Sequence, residues 1–300
     1  MVSERASDFK VTVGITTRNR PQLLRQALDS VFQQTLRPLE VLVVDDASEP
    51  PLEPVHAPPD VSLRWWRNER NQGLVVNRND LMGKAQGKYF ASLDDDAYFT
   101  TPEDLRTAVN FLEANSQIAI LSFRTIKPSE VPSMATRINH ASPRPCFKFR
   151  GGAHLLRLSV LSKSGNYRGF FFYVSEEGDL SYRLWEAGNQ VYYFPQVQLV
   201  HDHPPEAGPR AHWAYFFARN GVLTILLNHP RLFQLISLPN FIIRTFIAYG
   251  RKHLLIPFFK GCLHAFGETS YIRKNRRPVS YRTMFTVLDL KRKYGVNPWD

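Results

Sequence analysis

The feature that most constrains the fold is a short apolar run that ends on three consecutive carboxylates. The run Lys88–Leu93 has the composition of a strand, and Asp94, Asp95 and Asp96 follow it directly. An apolar run of this length is typical of a buried strand. Because adjacent carboxylates repel one another, this acidic tip needs a cation or hydrogen-bond donors to compensate its charge.

A divalent cation is one form that this compensation can take. Mg²⁺ typically binds one or two protein carboxylates and completes its coordination with water and phosphate oxygens. On this interpretation the acidic tip belongs to a nucleoside diphosphate site. The alternative is a solvated acidic turn, since ionised side chains are mostly exposed. The rest of the chain favours the first interpretation.

The N-terminal segment predicts a β-α-β unit. Phe9–Ile15 has strand composition, apolar residues recur at helical spacing over Leu23–Phe32, and Leu39–Val44 is a second strand that ends on Asp45 and Asp46. A β-α-β crossover makes the two strands parallel, so both acidic ends lie on one edge of the sheet. Open α/β sheets bind ligands at that carboxyl edge.

Further strands and helices alternate along the chain, which predicts an α/β fold with a mostly parallel sheet and flanking helices. We expect these elements at 61–66, 71–87, 102–115 and 118–123. A proline-rich loop covers 49–59, and a longer loop rich in Pro, Ser and Arg covers 127–145. Long loops inside compact domains are often active-site lids.

Two features near the predicted sheet edge allow two interpretations each. Arg78 lies just inside the helix that begins near Asn71, where it either clamps a phosphate or ribose or is a solvated helical arginine. Gly151 and Gly152 either allow the close approach of a sugar or form an ordinary turn.

A second acidic cluster follows the aromatic run Phe170–Val174. Glu176 and Glu177 stand at the start of a predicted helix, where glutamates either interact with the helix dipole or act as a general base with an adjusted pKa. His201 follows the strands or extended segments predicted at 190–195 and 197–200. It is either a structural histidine or a ligand that arrives where the carboxylates gather.

The C-terminal third carries the positive charge of the chain. It has 15 Lys and Arg and 5 Asp and Glu, against 23 and 22 in the first 200 residues, and the net charge is +11. Such a segment meets nucleic acid or an anionic membrane. Long apolar runs at 213–227, 232–249 and 254–266 argue against nucleic acid.

These apolar runs leave two interpretations open. None has the roughly 18 uninterrupted apolar residues of a spanning helix. They either lie on an anionic membrane surface or pack on the catalytic domain or on a second subunit, as in a homodimer. Cys146 and Cys262 have no spacing typical of a disulfide framework or a zinc site, and the N-terminus has no apolar signal region. We therefore expect a cytoplasmic protein, with peripheral attachment to the inner face of the plasma membrane if the helices lie on lipid.

Taken in order, these motifs resemble a known family. They are Thr16–Arg18, Asp45–Asp46, Arg78, Asp94–Asp96, Glu176–Glu177 and His201. The resemblance is to the inverting nucleotide-sugar glycosyltransferases of family 2, which have the GT-A fold, and it runs from about Val11 to about His203. Within the family the chain looks most like bacterial enzymes that transfer rhamnose or related sugars to surface polysaccharide or lipid-linked acceptors. The resemblance implies a Rossmann-like GT-A domain over 9–205 and a basic helical region over 206–300.

The resemblance also implies roles for individual residues. The acidic tip matches the DXD motif, so Asp96 is expected to bind Mg²⁺ or Mn²⁺ together with His201. Glu177 falls on the position of the general base, but Glu replaces the commoner Asp, so Glu176 remains a second candidate. The residues expected to bind the nucleotide sugar are Thr16, Arg18, Asp46, Arg78, Asp94, Asp95 and Gly152.

The implied activity is metal-dependent transfer of a sugar, with inversion, from a UDP-, dTDP- or GDP-linked donor to an acceptor hydroxyl. The acceptor is a saccharide or a lipid-linked saccharide of the bacterial surface. Two alternatives remain open. One is an inactive sugar-nucleotide binding module, and the other is a metal-dependent phosphatase or nucleotidyltransferase built on the acidic tip.

Overall fold

The structure, a computed structural model, describes residues 9–131, 141–202, 210–250 and 253–296. Within this part of the chain nine strands form one sheet. They are β1 (Val11–Thr17), β2 (Leu39–Asp45), β3 (Val61–Arg67), β4 (Tyr89–Asp94), β5 (Ala97–Phe99), β6 (Ile118–Ile126), β7 (Arg144–Pro145), β8 (Ala153–Arg157) and β9 (Gln190–His201).

The order of the strands gives the sheet one prevailing direction. It is β3-β2-β1-β4-β8-β6-β9-β5, and β7 pairs with β9. Strands β1 to β4 pair in parallel, as do β6 and β9, whereas β8 runs antiparallel to both β4 and β6. Strands β5 and β7 also oppose β9. The prediction of an α/β fold with a mostly parallel sheet is therefore confirmed.

Helices flank the sheet and continue beyond it. The first five are α1 (Pro21–Phe32), α2 (Leu74–Lys84), α3 (Asp104–Ala114), α4 (Leu161–Ser164) and α5 (Glu176–Glu186). The C-terminal helices are α6 (Arg210–Asn228), α7 (Arg231–Gly250), α8 (Leu255–Gly267), α9 (Thr269–Asn275) and α10 (Tyr281–Tyr294). The two segments expected at 190–195 and 197–200 form the single strand β9, whose register against β6 shifts between Phe194 and Gln198.

Each face of the sheet has its own core, because successive side chains of a strand point to opposite faces. Strand β2 sends Val41 and Val43 into the first core, together with α1 and α3. It sends Leu42 and Val44 into the second core, together with α2, α5 and the C-terminal helices. A strand buried on both faces explains the continuous apolar run of β2.

The C-terminal region packs on the sheet domain through α6. Ala214, Ala218 and Val222 belong to the second core, as does Phe258 of α8. The expected boundary between 205 and 206 falls among residues 203–209, which lie outside the described residues. The inner faces of these helices therefore pack on the catalytic domain, as one of the two interpretations proposed.

Helix α7 bears on the expectation that no apolar run of the C-terminal region spans a membrane. By length and composition alone, Arg231–Gly250 is apolar enough to cross a membrane, although no run there was expected to be. The helix contains few charged and polar residues, so its mean hydropathy remains high enough for a membrane-spanning helix although these residues interrupt the apolar run.

The long loop expected at 127–145 contains a short 3₁₀ turn at Pro128–Glu130 and ends in β7. Its residues 132–140 lie outside the described part of the chain.

A buried asparagine of α6 holds the loop that leads into α5. Asn220 is fully buried, and its Nδ2 donates to the carbonyls of Phe171, Tyr173 and Val174 at 3.0, 2.7 and 2.7 Å. Val174 has φ +65°, a conformation that a β-branched side chain rarely adopts. The bonds from Asn220 offset the cost of this backbone, which is on the order of 1–3 kcal/mol for a strained residue.

We therefore predict that Asn220→Ala destabilises the protein. Buried carbonyls left without a donor cost about 1–3 kcal/mol, which lowers Tm by roughly 2–10 °C. Thermal unfolding followed by circular dichroism measures the change. Asn240→Ala, at an exposed position of α7, is the control and should leave Tm nearly unchanged. Equal melting temperatures for both variants would contradict the role given to Asn220.

Candidate active site

The carboxyl ends of β1, β2 and β4 meet at one edge of the sheet. The register pairs Thr17 with Asp45 and Thr16 with Asp94. A cleft of about 420 Å³ opens there. Seven of the residues predicted from the sequence line it, namely Thr16, Arg18, Asp46, Asp94, Asp95, Asp96 and His201.

The chain itself supplies donors to the acidic tip. Arg20 Nη1 donates to Asp95 at 3.0 Å and to Asp96 at 3.1 Å, and Thr17 Oγ1 donates to Asp95 at 2.8 Å. Burial raises the pKa of Asp95 to about 6, against the opposing effect of Arg20 and Thr17. The solvated-turn interpretation is wrong, because Asp95 and Asp96 are only 5% and 6% exposed.

Three groups at the tip fit a divalent cation. One ligand atom from each of Asp94, Asp96 and His201 lies within 4.8 Å of the others, and His201 Nε2 is 2.9 Å from Asp96 Oδ1. Burial lowers the pKa of His201, but the hydrogen bond to Asp96 and the nearby carboxylates raise it overall. Carboxylate oxygens suit both Mg²⁺ and Mn²⁺, and the imidazole nitrogen favours Mn²⁺ because Mg²⁺ prefers oxygen ligands.

The other end of the cleft is shaped by Asp46. Its carboxylate is 4% exposed and accepts from Asn68 Nδ2 at 2.8 Å and from the backbone N–H groups of Gln72 and Gly73 at 2.9 and 3.0 Å. It therefore fixes the loop before α2. Thr16 Oγ1 is buried and has no hydrogen-bond partner among the described residues.

Arg78 lies behind the cleft and does not line it. Its side chain is buried, and it donates to Asp94 at 2.7 Å and to Glu176 at 2.8 Å. Burial lowers the pKa of Arg78, but the two carboxylates raise it overall. The solvated-arginine interpretation is wrong, and in this structure the guanidinium binds protein carboxylates at the positions where a phosphate was expected.

The two glycines of the β8 turn serve close approaches within the protein. A Cβ on Gly152 would collide with the carboxylate of Asp94. A Cβ on Gly151 would lie 2.5 Å from Arg78 Nη1 and 2.6 Å from Glu177 Oε1. Gly152 therefore accommodates Asp94 where the sequence suggested room for a sugar, and it does not line the cleft.

The two glutamates of α5 differ in their surroundings. Glu176 is 2% exposed, and Glu176 Oε2 has no partner among the described residues. Burial, with a contribution from Glu177, raises the pKa of Glu176 to about 8, although Arg78 opposes the shift. Glu177 is half-buried and accepts from the N–H of Gly151 at 3.1 Å. Neither residue lines the cleft. Arg78 connects Glu176 to Asp94 of the acidic tip, and Glu177 contacts the glycine turn at Gly151.

Several cleft residues could not be assigned from the sequence. Arg20 follows the first strand, but it pairs with Asp95, which lies 75 residues further along the chain. No pattern in the sequence around Arg20 indicates this pairing. Four aromatic residues form one wall of the cleft, namely Phe172, Tyr173, His212 and Trp213. This aromatic wall depends on how α6 packs against the sheet domain, and the periodicity of the sequence does not predict that packing.

Comparison with known sequences identifies the same segment. The family model described as Glycosyl transferase family 2 matches residues 12–178. The uncharacterized glycosyltransferase YwdF of Bacillus subtilis is 34% identical over 92 residues, which cover 31% of this chain and 34% of that protein. WcaA of Escherichia coli, named for colanic acid biosynthesis, is 33% identical over 93 residues, 30% of this chain and 33% of that protein. The chain spans about a third of the length of these curated relatives.

Comparison with solved structures supports the fold. TarS 1-349 of S. aureus, in complex with UDP-GlcNAc, superposes with a TM-score of 0.59 at 16% identity and covers 97% of this chain and 89% of that one. The mannosyltransferase PcManGT of Pyrobaculum calidifontis, in complex with GDP-Man and Mn²⁺, gives a TM-score of 0.57 at 18% identity, with 97% and 82% covered. At these identities the likeness establishes a GT-A type fold.

The glycine turn generates a direct prediction. Gly152→Ala forces Asp94 away from its position, so we expect metal-dependent nucleotide binding to weaken by at least about tenfold, or about 1.4 kcal/mol. Isothermal titration with UDP and GDP in the presence of Mn²⁺ measures it. Gly83→Ala is the control, because nothing lies within 4 Å of a Cβ there and alanine favours the helix. Wild-type binding by Gly152→Ala would contradict the proposed contact.

Proposed function

The chain belongs to glycosyltransferase family 2, and we propose that it is a metal-dependent inverting enzyme. It moves a sugar from a nucleoside diphosphate donor to an acceptor hydroxyl. The observation that carries this proposal is the group of Asp94, Asp96 and His201 at the edge of a cleft of about 420 Å³. Structural neighbours bind UDP-GlcNAc, or GDP-Man with Mn²⁺, which supports a donor of this class.

The donor is proposed to lie along the cleft from Asp46 to the acidic tip. Thr16, Arg18 and Asp46, which line the cleft, contact the base and ribose of the donor. Asp96 and His201 would hold a divalent cation, which would neutralise charge on the departing diphosphate. Arg20 adds positive charge beside the same phosphates, since its guanidinium already bridges Asp95 and Asp96.

The acceptor hydroxyl loses its proton to Glu177 in this proposal. Glu176 is buried and bound to Arg78, whereas Glu177 is partly exposed and accepts through Oε1 from the N–H of Gly151. Proton transfer to a carboxylate as the hydroxyl attacks the anomeric carbon gives inversion in a single displacement. Arg78 is a positioning residue, because it orients both Asp94 and Glu176.

The physiological acceptor is proposed to be a saccharide or a lipid-linked saccharide of the bacterial surface, reached from the cytoplasmic side. The relationship to WcaA, named for colanic acid biosynthesis, supports a polysaccharide role. The choice of rhamnose or a related hexose as the sugar rests on the resemblance of the ordered motifs.

A donor panel tests the function. The purified chain is incubated with UDP-, dTDP- and GDP-linked sugars, with Mn²⁺ or Mg²⁺ and with EDTA. We expect one nucleotide class to release nucleoside diphosphate and EDTA to stop that release. Release of inorganic phosphate or pyrophosphate in its place would indicate a phosphatase or nucleotidyltransferase. Binding without release from any donor, with any saccharide acceptor supplied, would indicate an inactive binding module.

The two glutamates are separated by matched substitutions. We predict that Glu177→Gln lowers kcat by at least ~10² with nucleotide affinity nearly unchanged, because it removes the base. Glu176→Gln should chiefly lower Tm, since the amide nitrogen takes the place of Glu176 Oε2, which is buried without a partner among the described residues, and its N–H groups stay unsatisfied. Glu69→Gln, at an exposed position, is the control for both. The reverse pattern would assign the base to Glu176, and normal turnover in both variants would exclude α5 from the chemistry.

A further inference from the structure

Helices α7 and α8 turn apolar side chains outward. Leu235, Ile236 and Ile243 of α7 and Ile256, Phe259 and Leu263 of α8 are between 46% and 73% exposed. A surface helix of a soluble domain normally points its apolar stripe at the core and its polar face at water. A contiguous exposed apolar surface of this kind marks an interaction site.

The two outward faces form one surface, which is called the α7–α8 face below. Phe246 of α7 and Phe259 of α8 are in ring contact, with centroids 6.0 Å apart. The inner side of α7 is engaged in the fold, since Thr245 and Tyr249 are buried and Phe241 packs closely against Gly221 of α6. Because one side of α7 packs against the protein, only its opposite side is available to a partner. The helix therefore lies along the surface of that partner and does not pass through it.

The charge of this segment selects the partner. No Asp or Glu occurs from Arg231 to Gly267, and the segment contains five Lys and Arg. Arg231, Arg244 and Lys260 are exposed beside the apolar side chains. A second copy of the chain would bring two such basic faces together, and like charges repel. An anionic lipid surface complements both the apolar side chains and the basic ones.

A series of aromatic contacts connects the α7–α8 face to the cleft. Trp213 lines the cleft and also a second cavity of about 290 Å³, together with Arg210, Tyr249 and Leu254. The rings of Trp213 and Tyr249 are 6.3 Å apart, and those of Tyr249 and Phe258 are 6.0 Å apart. Phe258 in turn contacts Phe259, which belongs to the α7–α8 face. The edge of the cleft therefore lies near this face.

We propose that the α7–α8 face docks on the surface of an anionic lipid bilayer. The apolar side chains enter the boundary between headgroups and acyl chains, and the exposed basic residues contact the headgroups. A docked chain holds Trp213, and with it the mouth of the cleft, close to the lipid headgroups. This proposal concerns the C-terminal helices and is independent of the reaction that the cleft performs.

Vesicle sedimentation of the full chain tests the proposal without donor or acceptor. We expect binding to phosphatidylglycerol/phosphatidylcholine vesicles at low salt, and weaker binding to phosphatidylcholine alone and as salt rises. Ile243→Glu and Leu263→Glu each replace an apolar side chain that enters the bilayer in the docked state with a negative charge, so each should weaken vesicle binding at least about tenfold. Both positions are exposed, so Tm should be unchanged.

Val131→Glu is the matched control, since it adds the same charge at an apolar position that is 40% exposed and lies outside α7 and α8. It should bind vesicles as the wild type does. Failure of the wild type to bind any vesicle, or wild-type binding by both helix variants, would overturn the proposal. Light scattering is run in parallel, and a dimer that Ile243→Glu dissociates, with no vesicle binding, would assign the face to a second copy.

Discussion

A buried guanidinium connects the two halves of the site. Arg78 donates to Asp94 at the end of β4 and to Glu176 in the first turn of α5, so it ties the acidic tip to the helix that carries the proposed base. Removing one partner of a buried pair costs about 3–5 kcal/mol, because the remaining charge has no compensation. The positions of Asp94 and of the start of α5 therefore depend on one side chain.

The glycine turn of β8 allows this arrangement. Asp94 and Glu177 approach the backbone at Gly152 and Gly151 more closely than a Cβ permits. The sequence left two interpretations of both glycines open, the close approach of a sugar and an ordinary turn, and neither names Asp94 or Glu177. Residues 78, 94, 152 and 177 come together only in the folded chain, and local patterns carry no information about which long-range partner fills such a space.

The fold itself was accessible from the sequence, because strand and helix periods are local properties of the chain. Strands such as β2 and β4 have the continuous apolar composition of buried strands, and their carboxyl ends indicated the sheet edge at which the cleft lined by Asp46 and Asp96 opens. The aromatic wall with Trp213 was missed, since it depends on the docking of α6. For α7, composition indicated an apolar helix, but only packing distinguishes its inner face, with Tyr249, from its outer face, with Ile243.

In the proposed function, the acidic tip and a nucleoside diphosphate bind a divalent cation together. Electron paramagnetic resonance of free Mn²⁺ during titration of the chain, with and without UDP or GDP, tests it most directly. We predict that Mn²⁺ binds at one site per chain, that the matching nucleotide tightens this binding, and that the site is lost in Asp96→Ala. Mn²⁺ binding that no nucleotide changes, or that survives Asp96→Ala unaltered, would contradict the account.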